Sequence, residues 1–516
     1  MHCTSMMPTA TLRRMNSKTA ISKPLADDIP RPLLISFLML VFMLMMAALD
    51  QTIVSTALPV IARDLHGAER SAWVFSAYLI ASTVAVPLYG KLADMHGSKP
   101  MLLTSVGLFL LGSVLCGLSR DMTELILARG IQGAGGGGLL PLAMMSVQRL
   151  FPENARAKFQ GILGAVYGLS TMMGPLVGGY LVEHFSWRWA FFINLPLGLV
   201  AAGVLASRFP RVKPTQRGRM DYLGALLLSA GLVSLLLSTN RQPLPGVAIS
   251  TTAFAVYFST TAFAVMGVAL IAAFVWLQSR IAHPLLPLSL FAKREFSAST
   301  LLSACTGFML FAAVVFLPMY FQNARGLSPA DSGLHLMPLM AGITIASIVC
   351  GRVLAATGRV RSTALVACAL VTAAFLGLGL LVRDPAVSLM ALSACLLPLG
   401  MGIGALFPLV TVVAQNSAPM PLMGMATASP VMFRSVAGAV GVSVMASLFA
   451  SAMASGFKSG VAPQTVFGLA LSTVMWAAAS ASALAAFVSC GLPWRLTRRA
   501  SPVIVATTGA TSALRA

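Results

Sequence analysis

Apolar stretches of bilayer-crossing length recur along nearly the whole of this 516-residue chain. They fall at roughly 33–61, 72–93, 101–119, 124–147, 160–182, 189–207, 222–238, 262–278, 298–321, 332–356, 363–382, 387–414, 427–452 and 466–490. A helix needs about 20 apolar residues to cross the hydrocarbon of a bilayer. Each run is near that length, so the pattern predicts an all-α membrane protein with about fourteen transmembrane helices. Charged residues make up 9% of the chain, against about a quarter in soluble globular domains. Lipid is therefore the expected solvent for most of the sequence.

The formal net charge of +21 does not point to nucleic acid. Lys and Arg sit in short segments between apolar runs, with no basic helix and no basic–aromatic interleaving. They crowd alternate segments: Arg13, Arg14, Lys18, Lys23 and Arg31 before the first run, then Lys91 and Lys99, then Arg149, Arg156 and Lys158, then Arg208 to Arg219. The positive-inside bias thus places both termini in the cytoplasm of an inner, multi-pass membrane protein. The polar first 32 residues do not read as a cleavable signal sequence, so none is expected and the first crossing is expected to serve as the targeting signal. The cysteines are scattered without a CxxC pair, and the histidines form no ligand pair; no metal site is expected.

A short internal repeat suggests a two-part build. GKLADMHGSK (Gly90–Lys99) follows the second run, and GRVLAATGRV (Gly351–Val360) follows the tenth. Both place Gly, a basic residue, an aliphatic one and a second Gly at matching offsets. This predicts parallel six-helix halves at 33–207 and 298–490 around a central pathway. Between them, 208–297 would hold a basic loop and two inserted helices, and 1–32 and 491–516 would be cytoplasmic tails. A tandem copy, STTAFAVYF at 250–258 and STTAFAVMG at 259–267, reads as a lengthened outer loop before the eighth crossing.

Ionisable residues inside apolar runs are candidate functional groups. Asp50 lies deep in the first run, and Arg129 and Gln132 lie one turn apart in the fourth. From the rise of an α-helix, Asp50 and Arg129 fall in the same outer half of the bilayer. Asp50 is either a proton- or substrate-coupling acid or a structural hydrogen-bonding one. Arg129 either pairs with Asp50 or bonds only backbone carbonyls of neighbouring helices. Arg434, in the thirteenth run, is a third buried charge with no acid in its own run. Asp94 is the acid of the 90–100 turn, where a helix N-terminus or a basic neighbour would let it latch the inner face. Met43, Met45 and Met46 near Asp50 read as a lipid-facing stripe more readily than as a pocket wall.

Glycines mark close helix approach. Gly133, Gly135 and Gly138 match GxGxxG formally, but no strand precedes them and no βαβ unit surrounds them. They read as packing residues. Gly168, Gly174, Pro175, Gly178 and Gly179 form a glycine-lined, proline-containing face in the fifth run, suited to sealing the two halves against leak. No Walker sequence is present, so the driving force is expected to be an ion gradient or the solute, with no cofactor.

Taken together, these features resemble the major facilitator superfamily, and within it the fourteen-helix drug:proton antiporters of the EmrB/QacA type. LDQTIVSTALP (Leu49–Pro59), GKLADMHGSKP (Gly90–Pro100), RGIQGAGGG (Arg129–Gly137), the Gly174–Gly179 run, WRWAFFINLPLG (Trp187–Gly198), FLPMYFQNARGLSP (Phe316–Pro329) and FRSVAGAVG (Phe433–Gly441) carry the likeness over about 33–490. The resemblance implies proton-coupled export of amphipathic small molecules, multidrug or toxic-compound efflux, rather than enzymatic activity. Asp50, Arg129 and Gln132 would couple protons. Gly90, Asp94, Gly97 and Lys99 would form a conformational latch, and Gly174 and Pro175 would discourage leak. The partners would be substrate, protons and lipid, with a periplasmic adaptor protein left open and no nucleic acid. A proton symporter or facilitator in the same fold is the alternative, and a non-transporting membrane sensor or complex subunit a more distant one. This chain departs from the family pattern at Met95, at Ser98–Lys99, at Ser435 and in lacking a second acid deep in the tenth run, which disfavours a dication specialist.

Overall fold

In a computed structural model of the chain, the described residues are 31–67, 70–210, 214, 220–238, 253–281, 284–458 and 463–496. Helices fill every apolar run. The first half comprises α1 (Arg31–Asp64), α2 (Ser71–His96), α3 (Ser98–Leu118), α4 (Met122–Leu150), α5 (Glu153–His184), α6 (Trp189–Phe192) and α7 (Asn194–Arg208). Next come α8 (Tyr222–Ser238) and α9 (Ala253–Gln278). The last group is α10 (Arg294–Asn323), α11 (Pro329–His335), α12 (Met337–Thr357), α13 (Arg361–Leu381), α14 (Leu389–Ser417), α15 (Met423–Lys458) and α16 (Pro463–Ser489).

Among the described residues, eleven segments are long and apolar enough to span a membrane by length and composition. α4 and α5 match them in length, at 29 and 32 residues, but carry more glycine and polar side chains. α8 has 17 residues. The sixth and tenth runs are each broken in two, at Ile193 and at Leu336. In the sixth, restarting the helix at Asn194 puts Pro196 in a first turn, where its missing N–H costs no hydrogen bond.

Helix contacts repeat between the two groups. In the first, α1 packs on α5 and α7, and α4 on α2 and α3; in the second, α10 packs on α15 and α16, and α14 on α12 and α13. The groups meet through α2 against α15 and α5 against α12, so each contributes its second and fifth crossings, α11 and α12 being the two parts of one run. Both repeat turns end a helix at a glycine with positive φ, Gly97 (φ 90°) and Gly358 (φ 64°), a backbone region that side chains with a Cβ disfavour.

Two expectations change. The tandem copy does not lengthen a loop: α9 (Ala253–Gln278) runs through the described part of both copies, because they are apolar and free of Pro, and the one Gly, at the end of the second copy, does not stop the helix. Met43 and Met46 are not lipid-facing but buried in the core of the first group, beside Leu40 and Leu44. α8 and α9 pack on each other and, through α8, on α2. Polar bonds fix their base: Gln278 donates to Asp221 (2.7 Å) and accepts from the Leu286 amide (3.1 Å), while Lys91 Nζ donates to the Pro284 carbonyl (3.1 Å).

Candidate functional site

Helices α4 and α7 supply the donors to Asp50 of α1. Arg129 Nη1 donates to its Oδ2 at 2.6 Å; Gln132 Nε2 (2.7 Å) and Asn194 Nδ2 (2.9 Å) donate to Oδ1. Asp50, Arg129 and Gln132 are fully buried, and Asn194 nearly so. The donors are themselves held. Gln132 Oε1 accepts from Arg129 Nη1 (2.7 Å), and Ser113 Oγ accepts from both Gln132 and Asn194 (2.9 Å each) while donating to the Phe191 carbonyl (3.2 Å). Arg129 Nε donates to the Val74 carbonyl (3.3 Å), and its guanidinium lies 4.3 Å from the centroid of the Tyr78 ring. Arg129 therefore pairs with Asp50 rather than bonding backbone alone, and the Val74 carbonyl is an additional partner. Its Nη2 has no hydrogen-bond partner among the described residues.

Glycines set this geometry. A Cβ on Gly112 of α3 or on Gly133 of α4 would strike the Gln132 backbone and the Tyr78 carbonyl respectively. The backbone contact that brings Gln132 and Arg129 against α2 and α3 thus requires bare α-carbons. The GxGxxG match is a packing surface.

Asn194, Ser113 and Tyr78 were not among the sequence candidates. Uncharged polar residues are common in the apolar runs, so only the break before α7 could have singled out Asn194. Replacing Asn194 with Leu removes one donor from a buried carboxylate, a loss on the scale of a charged hydrogen bond, about 1.5–3 kcal/mol. The expected outcome is a lower melting temperature in detergent than for the parent chain measured in parallel.

A second polar cluster lies at the other end of α2 and α4, about 30 Å along either helix from Val74 and Arg129 by helix rise. Asp94 Oδ1 accepts from Arg149 Nη2 (2.6 Å) and from the Gly424 amide (2.8 Å), and Oδ2 from the Met425 amide (3.3 Å). Those amides open α15 of the second group, so the carboxylate of one group caps a helix N-terminus of the other, where the helix dipole favours negative charge. A Cβ on Gly90 would lie 2.8 Å from Ala428 Cβ and 2.9 Å from the Gly424 oxygen. The repeat-equivalent Gly351 makes the corresponding close contact with Ala157 and Gly161 of α5. Lys99 points elsewhere: its Nζ donates to the Phe209 carbonyl (3.0 Å), tying α3 to the end of α7. Gly97 supplies the turn.

Between the two clusters a pair of buried amides crosses the interface. Gln160 Nε2 of α5 donates to the Met144 carbonyl (2.7 Å) and to Gln415 Oε1 of α14 (3.3 Å); Gln415 Nε2 donates to Thr427 Oγ1 (3.0 Å) and to Met144 O (3.3 Å). Neither glutamine stood out in the sequence. Gln415→Leu leaves Gln160 and Thr427 short of a buried partner at about 1–3 kcal/mol. Its thermal unfolding is expected below that of the parent chain, measured in the same detergent.

The glycines of α5 divide between two faces. Gly168 meets Thr344 and Ile343 of α12 across the interface; Gly174 would clash with Thr52, and Gly178 approaches Ile53, both on α1 of the same group. Gly179 has open space around it. Pro175 lies within α5, and its side chain is outside the described residues. At the opposite end from Asp94, the Trp187 indole (2.7 Å) and Arg188 (3.3 Å) donate to Asp64 and hold its carboxyl below the usual 3.8.

The Major Facilitator Superfamily profile matches residues 40–442. The chain belongs to the major facilitator superfamily. It is accordingly a multi-pass membrane transporter, not an enzyme. Within the superfamily it is 34% identical over 409 residues to the multidrug transporter protein MdtP of Bacillus subtilis, covering 79% of this chain and 74% of the relative. Multidrug resistance protein 3 of the same organism is 31% identical over 406 residues, covering 78% of this chain and 77% of the relative. The proton:xylose symporter XylE shares the major facilitator fold at a TM-score of 0.64 and 12% identity, over 90% of this chain and 98% of that structure.

Proposed function

We propose that this major facilitator protein exports amphipathic small molecules across the cytoplasmic membrane in exchange for protons, as a fourteen-crossing drug:proton antiporter with both termini inside. The relatives named for multidrug transport and resistance support efflux as the direction. The observation that carries the coupling is the Asp50 network: a carboxylate sealed from water, with both oxygens engaged by Arg129, Gln132 and Asn194.

In this arrangement ionised Asp50 balances Arg129. Protonation removes that balance, and an uncompensated buried guanidinium is costly. The protonated form therefore favours a different conformation, one that gives Arg129 water or another acceptor. α2 and α4 carry the change: both contribute to the Asp50 network near one end and to the Asp94 contact near the other. With the Asp94 end in the cytoplasm, the contacts at Gly90, Gly424 and Asp94 close the inner side, and alternating access requires them to part. Coupling follows if proton and substrate favour opposite conformations. The proton gradient is the energy source.

Everted membrane vesicles test this reading. Lumen acidification should drive uptake of toxic amphipathic compounds only in vesicles carrying the chain, and collapsing the gradient should stop it. Uptake that is indifferent to the gradient would contradict proton-coupled export.

A further inference from the structure

Arg434 is the half-buried intramembrane charge that the Asp50 network does not use. It lies ten residues beyond Gly424 on α15, about 15 Å along the helix and so near mid-membrane depth. An arginine side chain stays protonated in proteins. Its charge has no counterpart here. Residues 298–490 contain only two acids, Asp331 and Asp384. Both sit at helix ends, Asp331 held by Ser328 and Asp384 by the Ala386 amide. Asp50 and Asp94 are already bonded to Arg129 and Arg149. Among the described residues, no carboxylate lies within ion-pair distance of Arg434.

Its surroundings are aromatic and shared by both groups of helices. The guanidinium stands 4.8 Å from the centroid of the Phe407 ring of α14. Tyr167 of α5 meets that ring edge-on at 6.4 Å, across the interface. Further along the same helix, Gly438 and Gly441 admit the rings of Phe311 and Phe308 of α10. Arg434 itself is only half-buried, unlike the fully enclosed Arg129, so part of the residue faces open space.

We propose that Arg434, with Phe407 and Tyr167, binds the acidic group of an amphipathic organic anion in the space between the two groups. The ligand's carboxylate or sulfonate takes the guanidinium donors, and its aromatic part lies along the Phe407 and Tyr167 rings. A mid-membrane cation without a protein counter-ion is thereby neutralised by the cargo. This rests on the transporter reading and deepens it: the preferred substrates are amphipathic acids rather than dications.

The test is equilibrium binding to the purified full chain in nanodiscs, using 1-naphthoate, neutral 1-naphthamide and cationic 1-naphthylmethylamine. The acid should bind at least about tenfold more tightly than the amide, the scale of one charge-assisted hydrogen bond. Arg434→Gln should erase that preference and Arg434→Lys should keep part of it. Equal binding of acid and amide to the parent chain, or a preference that survives in Arg434→Gln, overturns the proposal. Should Arg434→Gln fail to fold, the charge series on the parent and Lys variant decides. Binding without gradient-driven uptake in vesicles would sink the export reading and leave this site standing; export without Arg434-dependent binding does the reverse.

Discussion

Asp50→Asn is expected to abolish gradient-driven export while the chain still inserts in the membrane. The change removes one charge from a fully buried pair and leaves Arg129 uncompensated, which costs about 3–5 kcal/mol in buried pairs that lose one partner. The single variant should therefore also melt earlier in detergent. Asp50→Asn combined with Arg129→Gln restores charge balance in the same space. The double variant is expected to recover most of the thermal stability and none of the export. That split separates coupling from architecture: recovery of export in the double variant would make the network a structural device. Export rates in everted vesicles, paired with melting curves of the same preparations, check both parts.

Filling the contact at Gly90 should have the second large effect. A valine there would push against the Gly424 backbone and Ala428, and backbone cannot give way as a flexible side chain does. Overpacking of this kind costs about 1–3 kcal/mol. The cost falls only on the conformation in which α2 and α15 touch, so the equilibrium moves away from the closed Asp94 end. In a cysteine-free background, Ala428→Cys should be protected from a membrane-impermeant maleimide applied at that end. Adding Gly90→Val should expose it, and export should fall. Unchanged labelling would show that the Gly90–Gly424 approach is not what closes this side. Asp94→Asn should act in the same direction and more weakly, since the glycine contact survives.

The helical runs, the repeat turns and the charged pair were legible because each leaves a strong local mark: apolar length, paired glycines, or a charge where lipid should be. Helix rise gave Asp50 and Arg129 a shared depth, while their lateral meeting, with Gln132, came from packing that the sequence left open. Asn194 and Ser113 were invisible for a physical reason. Small uncharged polar residues recur in the apolar runs, and only tertiary packing decides which of them turns toward a carboxylate. The partner of Asp94 was hidden in a similar way. Arg149 read as a loop charge, yet α4 extends far enough to bring it to the turn, while nearby Lys99 goes to the Phe209 carbonyl. Glycine spacing in α5 suggested one sealing face, whereas Gly168 faces α12 and Gly174 faces α1, a division set by how α5 threads between them. The helical state of the duplicated segment eluded the reading because its Ser-Thr-Thr starts look like loop, while its apolar content carries the helix through.

The central claim is that the proton on Asp50 comes and goes as the protein cycles. Infrared difference spectra of the purified chain, recorded between alkaline and acidic buffer, report on it without any knowledge of the substrate. The account predicts a protonated-carboxyl band that appears on acidification of the parent chain and is missing from the Asp50→Asn spectrum. Identical spectra for the two would contradict it.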